Sequence, residues 1–112
     1  MNAKLRRHVA DLHYTVGALY VALVDLEGRS LVESGDLGDV DKDALKQFLS
    51  GSFRHSRELA RAFLEPQAFD LHYYGKRHEI FCHQVGDSSF LVLVIDRESS
   101  TVRAGGVLLY LK

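Results

Sequence analysis

The sequence predicts an α+β domain built on a single antiparallel sheet, and three observations carry that reading. Residues 18–25 and 90–95 are apolar at nearly every position and rich in Val, Ile, Tyr and Phe, the pattern of strands covered on both faces. Between these runs, residues 41–64 place apolar side chains at helical spacing over about six turns. Glycines at 28, 75 and 86 punctuate shorter extended runs at positions suited to tight hairpins. The resulting order is helix, two strands, long helix, three antiparallel strands, helix, with helices available to cover both faces of the sheet.

Each element has its own signal. Leu5, Val9 and Leu12 share one face of a helix over residues 3–12, with Asn2 placed to cap it. The first strand turns at Gly28 into a short second strand that ends on polar residues. An acidic, glycine-punctuated loop follows, in which Asp41 is a good N-cap and Asp43 faces the positive end of the next helix. That long helix should run to about Leu64, because Pro66 disfavours helix at the residue before it. Residues 69–74 make the third strand, turning through Gly75-Lys76 into a fourth over 78–85, with glycine at the first position of a type II′ loop. Residues 86–89 turn into the central strand 90–95. A last helix, from Thr101 to about Leu111, carries Val102, Val107, Leu108 and Leu111 on either side of Gly105-Gly106, each glycine costing on the order of 1 kcal/mol relative to alanine.

At 112 residues the chain is expected to be one domain, 1–112, with a single core. Its 46% hydrophobic and 26% charged residues are those of an ordered globular protein. Fourteen basic and fifteen acidic residues leave a net charge of -1, which gives no global excess for nucleic acid or an anionic membrane. Cys82 is the only cysteine, which excludes an internal disulfide and suits a reducing, cytoplasmic setting. The first residues lack the apolar core of a secretion signal, and no run approaches the ~18 apolar residues of a spanning helix, so neither secretion nor membrane insertion is expected.

The hardware of catalysis is sparse. There is no glycine-rich phosphate loop, no Gly-x-Ser-x-Gly elbow and no His-Glu-x-x-His metal motif. His72, His78, Cys82 and His83 sit on neighbouring strands, but His78 and Cys82 are separated by about 13 Å at ~3.3 Å per residue, too far to share one zinc ion, and His83 points the other way. With Gly75-Lys76 as the loop, His72 falls opposite Glu79 and Tyr73 opposite His78, as ordinary cross-strand pairs. Cys82, inside a strand, reads as a small buried hydrophobe. Asp25, Glu27 and Arg29 read as turn residues rather than an acid-base group. The expectation is therefore no enzyme, no cofactor and no metal.

The long helix is more informative. Leu45, Phe48, Leu49, Ser52, Ser56, Leu59, Ala60 and Phe63 gather on one side, which is expected to pack on the sheet. Small residues at 51, 52 and 56 permit close approach either to that sheet or to a second copy of the helix. Arg54, Arg57 and Arg61 form a basic strip near Lys46; such strips are usually solvated, and on a rigid helix they also suit an acidic protein partner.

The hairpin turn Asp25-Leu-Glu-Gly28-Arg29, the acidic loop and long helix after it, the apolar last strand and the step Asp96-Arg97-Glu98-Ser99-Ser100 together resemble the Roadblock/dynein light chain family, in its bacterial MglB-like branch, over roughly residues 5–111. The resemblance implies a sheet of order 2-1-5-4-3 with the long helix on one face and the terminal helices on the other. It also implies a homodimer joined through the third strand and long helix, with Phe69, Leu71, Tyr73, Ser52 and Ser56 at the interface. The function it implies is a non-enzymatic regulator or scaffold for a small Ras-like GTPase, acting by contact and by remodelling the GTPase switch regions, with Arg54, Arg57 and Arg61 facing that partner. The chain stops at Lys112, short of longer bacterial relatives, so a clipped C-terminal helix is expected. A small-molecule sensor and a structural adaptor of a motor or signalling complex are the alternatives. The sensor needs a cavity that Phe48, Leu49, Phe63, Phe81, Phe90 and Leu93 look numerous enough to fill.

Overall fold

Helix α1 (Ala3–Val16) leads into strands β1 (Tyr20–Asp25) and β2 (Ser30–Gly35), helix α2 (Lys42–Ala62), and strands β3 (Leu71–Tyr74), β4 (His78–Val85) and β5 (Ser89–Asp96). The computed structural model describes residues 3–97. The expected last helix and the Asn2 cap lie outside the described residues.

The five strands form one antiparallel sheet in the order β2-β1-β5-β4-β3. Alternation along the two central strands explains why both read as uniformly apolar. Val21, Leu91, Leu93 and Ile95 point to the face covered by Val9, Leu12 and Val16 of α1. Tyr20, Ala22, Val24, Phe90, Val92 and Val94 point to the opposite face, under Leu49 and Phe53 of α2. Each face of a central strand therefore has its own helix, and neither alternate position is left for solvent.

Local chemistry fixes the helix ends. Asp41 accepts the Ala44 amide at 3.1 Å and caps α2 as expected. α1 continues one turn past Leu12 because Val16 extends the same apolar face, and Gly17, at a φ of 70°, then ends it in the left-handed conformation that glycine adopts freely.

Several expectations need correction. The β3–β4 loop is Lys76-Arg77 rather than Gly75-Lys76, since the Gly75 amide donates to the His78 carbonyl at 2.8 Å. The register consequently pairs His72 with Phe81 and Tyr73 with Ile80. His72 still reaches Glu79, but as a diagonal neighbour. β3 begins at Leu71, leaving Phe69 in the preceding segment, and α2 ends at Ala62 with Phe63 as its cap. Most consequential, Phe48, Leu59 and Phe63 do not pack under the sheet. They are 62%, 52% and 67% exposed. The interior is filled by Leu49, Phe81, Phe90 and Leu93, all buried.

Candidate interaction surface

Helix α2 presents three different sides. Leu49, Phe53, Ser56 and Ala60 face the sheet and are buried, with Phe53 stacked on Phe90 at 4.7 Å. An apolar shoulder lies beside β3, where Phe48 meets the Tyr73 ring at 6.1 Å and Phe63 meets Phe69 at 5.9 Å. β3 is the end strand of the sheet, so its outer edge carries backbone groups with no ladder partner among the described residues. Leu71 and Tyr73 lean to the same face as α2. The expected interface residues are thus brought to one region but in different roles. Phe69, Leu71 and Tyr73 line the edge, and Ser52 is half-buried. Ser56 is buried, its hydroxyl donating to the Phe69 carbonyl at 2.6 Å, which ties α2 to the segment entering β3.

The other shoulder is basic, and its three arginines are not equivalent. The Arg54 guanidinium and the Ser50 hydroxyl both donate to the Leu26 carbonyl, and the Gln47 amide donates to the Glu27 carbonyl at 2.9 Å. These three side chains strut the β1–β2 turn against the helix. Gly28 lies under Gln47 there at a φ of 86°, where a Cβ would stand 2.6 Å from the Gln47 side chain. Arg57 and Arg61 lie further along, lining an open groove of about 200 Å³ with Glu65, Gln67, Gln84 and Asp87. Arg61 pairs with Glu58 at 3.1 Å in full view of solvent.

Lys46 does not extend this strip. It is buried, donates to Ser30 Oγ at 2.8 Å and stands 3.7 Å from Glu33 and 3.5 Å from Asp43. Glu33 also accepts from the buried Tyr20 hydroxyl. That bond, together with the Lys46 charge, holds the Glu33 carboxyl below its ordinary range despite partial burial. Burial, reinforced by Glu33, pushes the Tyr20 phenol up. The cluster pins the N-terminal half of α2 to β2.

On the α1 side of the sheet, buried Glu79 accepts from His72 Nε2 at 2.9 Å and stands 3.6 Å from Arg97 Nε. Arg97 donates to the Gly75 carbonyl at 2.7 Å and lies 3.7 Å over the Tyr74 ring, clamping the β3–β4 hairpin. His83 pairs with Asp70 at 2.7 Å. Cys82 lies in the α2-side core, and burial pushes its thiol up to about 12. His78, Cys82 and His83 do not converge. Among the described residues no group of three or more His, Cys, Asp or Glu side chains is placed to hold a metal ion. At the β1–β2 turn, desolvation opposes the charge on Asp25, but bonds from the Arg29 and Glu27 amides and the Arg29 side chain outweigh it and hold the carboxyl low.

Sequence reasoning missed the exposed apolar shoulder. Its signal was the width of the apolar arc on α2, which is broader than the contact a single helix makes with a sheet.

A five-stranded antiparallel sheet of this order, with a long helix on one face and a terminal helix on the other, defines a profilin-like α+β domain. The family model of the Roadblock/LC7 domain matches residues 5–95, and the chain belongs to that family. MglB of Myxococcus xanthus superposes with a TM-score of 0.81 at 23% identity, covering 96% of this chain and 85% of that one. The gliding protein MglB of Thermus thermophilus superposes with a TM-score of 0.76 at 24% identity, covering 93% and 77%. Profilin IA of Acanthamoeba castellanii shares the fold at a TM-score of 0.62 and 18% identity, over 95% and 91%. No curated protein matches the chain in sequence. Among the described residues no helix is long and apolar enough to cross a membrane.

Proposed function

We propose that this chain is a non-enzymatic homodimeric regulator or scaffold that binds a small Ras-like GTPase in the cytoplasm. One observation carries the reading: the two shoulders of α2 differ in chemistry and both face solvent. The apolar shoulder, continuous with the unpaired β3 edge, suits a second copy. An identical strand added antiparallel about a two-fold axis satisfies the edge of each copy and covers both apolar shoulders together. The basic shoulder then lies on the outer side of each helix and appears twice on one face of the pair. There Arg57 and Arg61, with Arg54 at the hairpin turn, meet an acidic surface of the GTPase by charge-steered contact.

Family membership supports a regulatory or scaffolding role, and the likeness to MglB structures, one of them described as a tetrameric arrangement, is in keeping with assembly. The test is affinity capture from the native cell with a GTP analogue or with GDP. A small GTPase recovered in one nucleotide state is expected. Recovery of none in either state, from folded bait, contradicts the reading.

A further inference from the structure

Leu64 stands just past the end of α2 at a φ of 60°, a left-handed conformation in which a Cβ is crowded and glycine or asparagine is the usual occupant. The helix end itself is well closed. The Leu64 amide donates to the Arg61 carbonyl at 3.0 Å and the Glu65 amide to the Ala60 carbonyl at 2.9 Å. The apolar contact that often accompanies this closure would fall between positions 65 and 60, which are Glu and Ala here. The Leu64 side chain takes no part, being 91% exposed. Among the described residues, none therefore offsets the strained backbone at this leucine.

A single exposed leucine is ordinary. This one follows directly on Phe63, the last residue of the exposed apolar shoulder that also carries Phe48 and Leu59, and Phe63 meets Phe69 beside the open edge of β3. We infer that Leu64 is an anchor for a second copy of this chain, held outward by the helix end at a cost to the stability of the separate monomer. The inference rests on the dimer reading above and adds to it a residue and a trade-off. The stripe from Phe48 to Leu64 is about 24 Å long at ~1.5 Å per residue. Two such stripes related by the perpendicular two-fold axis that antiparallel pairing of β3 requires run antiparallel, so Leu64 would meet the end of the second copy's α2 that carries Phe48. That self-complementarity, continuous with an open strand edge, favours an identical chain over an unrelated partner.

Leu64→Gly and Leu64→Ala separate the two halves of the inference. Glycine removes the side chain and the strain, whereas alanine removes the side chain and keeps a Cβ at the same φ. Sedimentation equilibrium of the parent should show a dimer, and both variants should weaken it about tenfold, the loss of one well-placed apolar anchor. Urea denaturation of samples diluted below dissociation should show the folded monomer favoured about fivefold in Leu64→Gly over the parent, and not in Leu64→Ala. If the parent dimerises and both variants match it, the role of Leu64 is overturned while the dimer stands. If both weaken but glycine brings no gain in the monomer, the trade-off is overturned. A parent that stays monomeric defeats the dimer reading itself.

Discussion

Cys82 and Glu33 show how a side chain's surroundings decide its chemistry. The Cys82 thiol, wholly buried and raised to about 12, should resist alkylation in the native protein at about pH 8 and react fully once unfolded. Rapid native labelling, followed by mass spectrometry, would mean the α2-side core is open. Glu33 works in the opposite direction. Its carboxyl is held low by Tyr20 and Lys46, so folding favours the ionised form. This stabilisation is fully present above the ordinary carboxylate range and is lost as pH falls through that range towards the lower folded value. In urea denaturation, Glu33→Gln should be less stable than the parent near neutrality, and the gap should close on acidification. A gap constant with pH would show that Glu33 contributes by packing instead.

Among the elements, α2 does the most to organise the surface, and its struts and cap should separate experimentally. Asp41→Ala removes the side chain that accepts the Ala44 amide and should cost about 1 kcal/mol, lowering the melting temperature by about 4 °C with no effect on association. Arg54→Ala should also destabilise, because Arg54 shares the Leu26 carbonyl with Ser50, whereas Arg57→Ala and Arg61→Ala should leave melting nearly unchanged. Equal melting of all three would mean the strut bears no load. Much of this element was legible in advance: Asp41 as cap, the stop before Pro66 and the Arg54, Arg57, Arg61 spacing all follow from local rules. The tasks of the individual residues were not. Whether Phe48 and Phe63 lie under the sheet or beside its edge depends on where the helix axis crosses the strands. Arg54 and Lys46 differ because one lies near a carbonyl of the β1–β2 turn and the other near Glu33 of β2. The β3–β4 register slipped for a related reason, since a glycine marks a turn without saying which position of the turn it occupies.

In the whole molecule, the proposed assembly assigns association to one sheet edge and two helix shoulders. Leu71→Lys places a charge beside the β3 edge that a second copy would cover and should shift the sedimentation equilibrium towards monomer, whereas a parent-like dimer would contradict strand addition there. Phe90→Asp, by contrast, buries an unpaired charge in a central position and should abolish cooperative unfolding altogether. A normal melt for Phe90→Asp would contradict the layered core. The proposed division of labour is that the basic shoulder of α2 receives a GTPase while the apolar shoulder receives a second copy. Its most direct test is the association rate of the captured GTPase with the parent and with Arg57→Glu/Arg61→Glu, measured across ionic strength. The double variant should bind more slowly, most of all at low salt, while keeping the parent's melting temperature and oligomeric state. Equal association rates at every salt concentration would place the GTPase on another face of the molecule.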